Sequence, residues 1–326
     1  MRRVRFDDLR IEEVPEPAPA EGELLIRASA IGVTLPVVRM ARRDSPGLAA
    51  GSRVPVGSHV TGGSRVPAGS RVPGGSRVLG GEVAGTVIGL GPGVSGFAPG
   101  DQVVTLPFSG SYQDVVVASA AMTSPIPPDA AVTAVALVRS GHVALAALGT
   151  LAAGESVLIT AAAGGVGHLA VQLARARGAS RVVAAVGTPD KSDFVRKLGA
   201  DEVVTYDGDW GQPVDLALDG AGGEVLPRAL AAVRPGGRLV YFSSGGGTIA
   251  ASDLLGGAKT VTGLAMRHFA ARHPDQYAAH EPELWRLVET GQLAPAVHAE
   301  LPLTEAARAH ELLESRRNLG KVVLRP

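Results

Sequence analysis

The chain has 326 residues, of which 45% are hydrophobic, and this length and composition predict two domains with buried cores. It carries 31 basic and 31 acidic residues, so neither a nucleic acid nor a membrane surface is an expected partner. It has no cysteine, which excludes disulfides, thiolate nucleophiles and cysteine-based zinc sites. No secretory signal or apolar run of spanning length is found, so we expect a cytoplasmic protein.

The N-terminal part is predicted to be rich in β-structure. Short strands bounded by turn residues are expected at 2–6, 9–14, 23–31, 80–87, 101–106 and 112–117. Together these strands predict a small barrel-like domain. Apolar residues at helical spacing then predict a helix over 130–150, which leads into the following domain.

A hexad repeat interrupts this region. Five consecutive hexads begin with GSRVPV at Gly51, and both Gly and Val recur every six residues. A period of six suggests a parallel β-helix, but five hexads are too few to stack a core. We therefore predict a flexible loop over 51–80. The alternative is a docking surface for an anionic carrier such as a phosphopantetheine group, because four of the hexads contain an arginine.

Residues 155–191 predict a dinucleotide-binding βαβ unit. An uninterrupted apolar strand at 156–161 precedes a turn with the G-x-G-x-x-G spacing, in which alanine takes the first place. A helix up to Gly178 and a second strand at 181–186 follow, so the positive end of the helix is expected to face phosphates. The turn residues predicted to bind the pyrophosphate are Ala162, Gly164, Gly165, Val166 and Gly167.

The residues after the second strand predict which cofactor is bound. An Asp or Glu about 20 residues beyond the glycines normally binds a free ribose 2′-hydroxyl. Here Gly187 occupies that place and Lys191 follows it. The absence of a carboxylate and the presence of an ammonium favour NADPH over NADH. The alternative is that Lys191 is an ordinary solvated helix residue.

Several motifs occur together and in one order: LGGEVAGTV, PGDQVV, AAAGGVGHLAVQLA, LGADEVV and GKVVL. In this the chain resembles the medium-chain dehydrogenase/reductase superfamily, and within it the zinc-free quinone oxidoreductase and enoyl reductase branch. The resemblance implies an α/β fold, with a GroES-like β-barrel catalytic domain plus a Rossmann domain with a doubly wound parallel sheet. The implied boundaries are 1–124 for the catalytic domain, 125–270 for the Rossmann domain and 271–326 for the return to the catalytic domain.

The resemblance also implies further cofactor contacts. In related quinone reductases a Lys, a Tyr and an Arg surround the 2′-phosphate, and Lys191, Tyr206 and Arg316 match those places. Two segments near the nicotinamide of relatives are also matched. Their residues here are Ser243, Ser244, Gly245, Gly263 and Leu264.

Candidate catalytic residues are fewer. Thr34 stands where many relatives have an Asn near the nicotinamide, so a hydroxyl replaces an amide. Arg139 and Ser140 match a segment that borders the nicotinamide ribose, and Arg139 is a candidate to polarise a carbonyl or bind an anion. His142 is a candidate proton donor near neutral pH. The structural alternatives are a salt bridge for Arg139 and a helix-face histidine for His142, and for His142 the alternative is favoured.

These observations predict a zinc-independent NADPH-dependent reductase of enones, enoyl thioesters or quinones, with a role in secondary metabolism left open. The expected partners are a small-molecule substrate, with a carrier-bound thioester as a further option, and a second copy in a homodimer. The alternative is a non-catalytic NADPH-binding protein, of the type that relatives recruited as crystallins or RNA-binding proteins represent.

Overall fold

The structure is a computed structural model that describes residues 1–42, 79–107 and 110–326. The predicted loop at 51–80 lies outside the described residues, except for its last two positions. The described chain divides into two compact units. The first unit comprises Met1–Val135, Glu300–Glu314 and Val323–Pro326, and the second unit comprises Ala136–Ala299 and Ser315–Val322.

Strands and helices alternate through most of the described chain. The strands are β1 (Arg2–Val4), β2 (Ile11–Glu13), β3 (Glu23–Val33), β4 (Val83–Leu90), β5 (Gln102–Thr105), β6 (Val115–Ser119), β7 (Thr123–Pro125), β8 (Ser156–Thr160), β9 (Arg181–Val186), β10 (Glu202–Thr205), β11 (Val214–Asp219), β12 (Val233–Tyr241), β13 (Thr260–Gly263), β14 (Val297–Pro302) and β15 (Lys321–Arg325). The α-helices are α1 (Leu35–Ala41), α2 (Ala131–Ala147), α3 (Gly167–Ala176), α4 (Ser192–Lys197), α5 (Val225–Ala231), α6 (Ala251–Leu255), α7 (Met266–Arg272), α8 (Pro274–Glu289) and α9 (Ala306–Glu314).

A seven-stranded sheet in the order β14-β15-β3-β4-β5-β7, with β6 also paired to β3, contains most of the predicted N-terminal strands. Strand β3 is its centre, since it pairs with both β4 and β6 in antiparallel register. The two opening strands were expected to join this barrel. Instead, β1 and β2 pair with each other in a separate two-stranded sheet, and a single bridge links Arg3 to Gln113.

The second unit contains a six-stranded parallel sheet in the order β10-β9-β8-β11-β12-β13. The chain runs outward from β8 to β10 and then outward again from β11 to β13, so the strand order reverses between β8 and β11. This is the doubly wound arrangement that was predicted. In such sheets ligands bind at the carboxyl ends of the strands where the order reverses.

Both faces of this sheet are buried, as the uninterrupted apolar strands predicted. Val157 and Ile159 of β8 belong to the core that α3 covers, whereas Leu158 between them belongs to a second core with residues of α5. Alternate residues of a strand point to opposite faces, so the two cores lie on the two sides of the sheet. The predicted strand at 181–186 agrees with β9 residue for residue. Residues 214–219, whose apolar pattern also predicts a strand, form β11 with the same bounds.

Some predicted boundaries differ from the structure. The apolar pattern predicts a strand that starts at Arg238, because Pro235 and Gly236 precede it, but β12 begins five residues earlier, at Val233. The added residues pair with β11 irregularly, with a register shift after Val214. The return of the chain was expected at residue 271, but residues up to Ala299 belong to the second unit. The reason is packing, since Leu284, Leu287 and Leu293 lie in the same buried core as α3.

One helical stretch of the described residues, Ala131–Thr150, is long and apolar enough to cross a membrane by length and composition alone. Most of its apolar window, 72%, is buried inside the protein. That burial is what a core helix of a folded domain shows.

Candidate functional site

The turn between β8 and α3 has the tight geometry that the glycine spacing predicted. Ala161 has a φ of +50°, and the amide of Gly164 donates to the Ala161 carbonyl oxygen at 2.9 Å. A Cβ on Gly167 would lie 2.2 Å from that same oxygen, so only glycine lets α3 start this close to β8. Ala162, in the first place of the fingerprint, is buried in the core beneath the turn.

The N-terminus of α3 is suited to an anion. Val166 at the N-cap makes no side-chain capping hydrogen bond with any described residue, and the first N–H groups of a helix have no partner inside it. A Cβ on Gly165 would come no closer than 3.6 Å to the Oγ of Ser140, so the turn is uncrowded on that side. Exposed N–H groups and the positive end of the helix dipole favour a phosphate here.

His168 links this turn to residues far along the chain, and sequence reasoning missed it. Its Nδ1 lies 2.9 Å from the Gly164 carbonyl oxygen, and its Nε2 accepts from the amide of Ala296 at 3.0 Å. The proton must therefore be on Nδ1, since a carbonyl oxygen can only accept. Burial lowers the pKa of His168 to about 4, so the imidazole is neutral at neutral pH and both bonds are kept.

The three residues predicted to surround a phosphate lie close together. The ammonium of Lys191 donates to the carbonyl oxygen of Arg316. The hydroxyl of Tyr206 accepts from the amide of Ala161 at 2.9 Å, which places the tyrosine beside the dinucleotide turn. A Cβ on Gly187 would lie 3.8 Å from the Tyr206 ring. Lys191 follows β9 and Tyr206 follows β10, so the group gathers at the carboxyl ends of neighbouring strands.

The electrostatics of this group favour an anion. Desolvation by burial lowers the pKa of Lys191; the neighbouring carboxylate of Asp190 opposes this effect, and the positive charge of Arg316 adds to it. Burial raises the pKa of Tyr206 and the charge of Asp219 raises it further, while the hydrogen bond from the Ala161 amide and the charge of Arg316 act in the opposite direction. Lys191 and Arg316 thus bring two positively charged side chains to one end of the sheet, where a phosphate can form charge-assisted hydrogen bonds.

The loops after β12 and β13 lie at the same edge of the sheet. Ser243 accepts from the amide of Gly245 at 2.9 Å through its Oγ. A Cβ on Gly245 would lie 2.5 Å from the carbonyl oxygen of Ala221, so this loop packs directly on backbone. Leu264 donates its amide to the Tyr241 carbonyl oxygen at 2.8 Å. Two further predicted contacts, Ser244 and Gly263, are exposed at this edge.

Arg139 and Ser140 both lie on α2. Ser140 is buried, and its Oγ borders the dinucleotide turn near Gly165. Arg139 is partly exposed, and its charge lowers the pKa of Tyr277, which burial otherwise raises. Ser140 thus reaches the predicted cofactor turn, and Arg139 lies beside a tyrosine of α8.

The structure disfavours His142 as a proton donor at neutral pH. Its ring stacks on Tyr277 with centroids 4.2 Å apart, and its Nδ1 lies 3.3 Å from the Nδ1 of His280. Burial, aided by the neighbouring His280, lowers the pKa of His142 to about 4. An imidazole with that pKa is neutral at pH 7 and is therefore a poor acid, so the structural interpretation of His142 is the better one.

Thr34 lies in the first unit and directly follows β3. Its carbonyl oxygen accepts from the amide of Val38 at 3.1 Å and so begins α1. Its Oγ1 is buried and has no hydrogen-bond partner among the described residues. An unpaired buried hydroxyl carries a desolvation penalty, which a ligand able to bond to it would remove.

Sequence reasoning also missed Thr160 and Asp219, which end β8 and β11. Both are fully buried, and the Thr160 hydroxyl donates to Asp219 at 2.6 Å. The available signal was a polar residue that closes an apolar strand just before a glycine-rich turn, as Asp219 does before GAGG.

Two family models match the chain: the alcohol dehydrogenase GroES-like domain over residues 20–128 and zinc-binding dehydrogenase over residues 198–324. The chain is 31% identical over 267 residues to a 2-haloacrylate reductase of Burkholderia sp, which covers 75% of this chain and 80% of that protein. The chain belongs to the medium-chain dehydrogenase/reductase superfamily. The predicted resemblance is thereby confirmed.

This superfamily member is also similar to the quinone oxidoreductase of Thermus thermophilus, which was solved both by itself and in complex with NADPH. The two chains are 28% identical, each is covered completely, and the TM-score is 0.78, which confirms the predicted fold class. A spectinabilin polyketide synthase system protein of Streptomyces orinoci is 39% identical over 268 residues. That match covers 74% of this chain, which spans only 12% of the synthase protein.

Proposed function

We propose that this protein is a zinc-independent NADPH-dependent reductase of α,β-unsaturated carbonyl compounds or quinones. The observation that carries the proposal is the convergence of Lys191, Tyr206 and Arg316 beside the dinucleotide turn. A 2′-phosphate is the part of NADPH that distinguishes it from NADH, and this group offers two cations and a hydroxyl for it.

The residues present fit the cofactor at each of its parts. The uncapped N-terminus of α3 and the close approach that Gly167 permits suit a pyrophosphate. The exposed Ser244 and Gly263, at the ends of β12 and β13, suit the nicotinamide half. The quinone oxidoreductase of Thermus thermophilus, solved with NADPH, supports the same assignment.

NADPH, when bound, supplies the hydride that adds to the β-carbon of an enone or enoyl thioester. An acceptor of this class would then carry negative charge on its carbonyl oxygen, and its α-carbon would take a proton from water. We assign Arg139 to stabilise the developing oxyanion through its guanidinium, and Ser140 to hold the ribose side of the turn. Thr34 stays a candidate to bond to the substrate, because its buried hydroxyl has no hydrogen-bond partner among the described residues.

Zinc independence is proposed from the donor set. The chain has no cysteine, and no group of three or more His, Asp or Glu side chains in the described residues is arranged to hold a metal ion. One matched family model is named for zinc binding, so this point needs its own measurement. Activity that survives dialysis against a chelator, with less than one zinc per chain by metal analysis, is the expected result.

The substrate class is proposed from the relatives. The Burkholderia relative is named as a reductase of 2-haloacrylate, an activated alkene, and the Streptomyces orinoci relative is part of a polyketide synthase system. Small enones, quinones and carrier-bound enoyl thioesters are therefore the candidates. We also propose that the protein forms a homodimer and that it binds neither nucleic acid nor a membrane.

The decisive experiment mixes the protein with NADPH and each of the three substrate classes, and follows absorbance of the reduced nicotinamide. Oxidation with at least one class, and faster with NADPH than with NADH, is expected. Tight NADPH binding without turnover of any class would overturn the enzymatic proposal and favour a non-catalytic binding protein.

A further inference from the structure

Strands β8 and β11 are joined by two similar side-chain pairs, one at each end. At the amino end the hydroxyl of Ser156 donates to Asp215 at 2.6 Å, and at the carboxyl end that of Thr160 donates to Asp219 at 2.6 Å. The Asp215 pair is partly exposed and forms an ion pair with Arg234, whereas the Asp219 pair is fully buried. The two ends therefore offer the same chemistry on the same strands, in different surroundings.

The buried pair holds the backbone that follows β11. The amides of Ala221 and Gly222 donate to the two carboxylate oxygens of Asp219, at 3.2 and 3.1 Å. The amide of Gly220 donates to the Thr160 hydroxyl at 3.0 Å. Three successive N–H groups are thus turned toward the sheet, and the bonds to the carboxylate repay the cost of burying it.

The segment held in this way supports the loop after β12. A Cβ on Gly222, which has a φ of +69°, would lie 2.7 Å from the Gly246 carbonyl oxygen. The amide of Gly223 donates to that same oxygen at 2.8 Å. From the other side, a Cβ on Gly245 would lie 2.5 Å from the Ala221 carbonyl oxygen. With backbone packed on backbone, a shift of either segment must move the other.

This contact lies where the cofactor is expected. The strand order reverses between β8 and β11, and dinucleotides bind at the carboxyl ends of strands at such a point. The supported loop contains Ser243 and Gly245, which are assigned to the nicotinamide half. The groups assigned to the 2′-phosphate instead follow β9 and β10, on the other side of β8. Tyr206 is the member of that group nearest the pair, since its hydroxyl accepts from the amide of Ala161 and the charge of Asp219 raises its pKa.

We propose that Asp219 and Thr160 are positioning residues for the nicotinamide half of the cofactor. They act by holding residues 220–223, against which the loop at 243–247 packs. The inference rests on the proposed function, because it needs a nicotinamide cofactor to position. It predicts that the two halves of the cofactor respond differently when this pair is changed.

The test compares two ligands on purified full-length variants by calorimetry. NADPH contains both halves, whereas adenosine 2′,5′-bisphosphate contains the phosphate half alone. Asp219→Asn should weaken NADPH binding roughly tenfold to a hundredfold, which is the effect of losing charge-assisted hydrogen bonds. Its affinity for the bisphosphate should stay within about threefold of the wild-type value. Thr160→Val should weaken NADPH binding in the same way but to a smaller extent, whereas Thr160→Ser, which keeps the hydroxyl, should bind NADPH as the wild type does. The test therefore does not depend on whether Asp219→Asn folds.

Asp215→Asn is the matched control at the other end of the same strands. It should lower the melting temperature, because it breaks the bonds to Ser156 and Arg234, while both ligands bind within about threefold of wild type. Two results would overturn this inference and leave the proposed function standing. One is equal weakening of NADPH and bisphosphate binding in Asp219→Asn, and the other is unchanged NADPH binding in both Asp219→Asn and Thr160→Val. A wild-type protein that binds neither ligand would overturn the proposed function as well.

Discussion

Lys191 donates a hydrogen bond from its ammonium to the carbonyl oxygen of Arg316, which lies 125 residues further along the chain. The contact joins the segment after β9 to the short connection between α9 and β15. Neither residue has the other as a neighbour in sequence, and both belong to the proposed phosphate site. The proposed preference for NADPH therefore depends on a long-range contact and not on the glycine motif alone.

The first prediction concerns this contact. Lys191→Ala should weaken NADPH binding roughly tenfold to a hundredfold and leave NADH binding within a few fold, because only NADPH has a phosphate for the ammonium to bind. Fluorescence titration with both cofactors measures the difference. Lys197→Ala is the control, because Lys197 is an exposed residue at the end of α4. This variant should bind both cofactors as the wild type does. Equal losses for NADPH and NADH in Lys191→Ala would contradict the assignment.

The second prediction concerns Arg139. Arg139→Ala should reduce kcat roughly hundredfold, the typical effect of removing one group that stabilises an oxyanion. NADPH affinity should stay within a few fold, since the proposed partner of Arg139 is the substrate carbonyl. Arg139→Lys should recover part of the rate because it keeps the charge. If NADPH affinity falls as much as kcat does, Arg139 is a cofactor ligand or a structural residue.

The third prediction concerns stability in acid. Burial lowers the pKa values of His142, His168 and His310 to about 4, from an ordinary value of 6.5. Between these values the unfolded chain binds more protons than the folded one, so stability is full above about pH 6.5 and is lost as the pH falls toward about 4. The urea concentration at the unfolding midpoint should therefore fall steadily as the pH is lowered from about 6.5 to about 4.

Two variants separate the buried imidazoles from the rest of the protein. His142→Phe keeps an aromatic ring against Tyr277 and should reduce the pH dependence by up to about one proton. His298 is exposed, so His298→Gln should leave the dependence unchanged. Urea midpoints that are flat with pH in the wild type would show that the buried histidines are not kept neutral.

The fourth prediction concerns assembly. Strand β13 is the last in its sheet, and a twofold axis there would continue the sheet into a second copy. The Leu264 amide points to β12, so by alternation the Val261 amide points away from it. Val261→Pro should turn a dimer into a monomer by light scattering, while Val261→Ala, which loses the side chain but keeps the N–H, should remain dimeric. A wild-type monomer would contradict the proposal.

The sequence alone was enough to predict the βαβ unit and the Rossmann sheet. Hydrophobic periodicity and glycine spacing are local signals, and the strand at 181–186, the turn with Gly167 and the helix end near Gly178 all depend on them. The order of motifs then identified the superfamily. Local signals were weaker at β12, where Pro235 and Gly236 hid the first residues of the strand.

Only the tertiary structure decided which polar residues meet. Thr160 and Asp219, 59 residues apart, face each other because parallel strands bring their carboxyl ends together. The fold buries His142 against α8 and so lowers its pKa, which no spacing of residues could predict. Protonation states and hydrogen bonds depend on desolvation and on contacts between distant segments, and both arise only when the chain is folded.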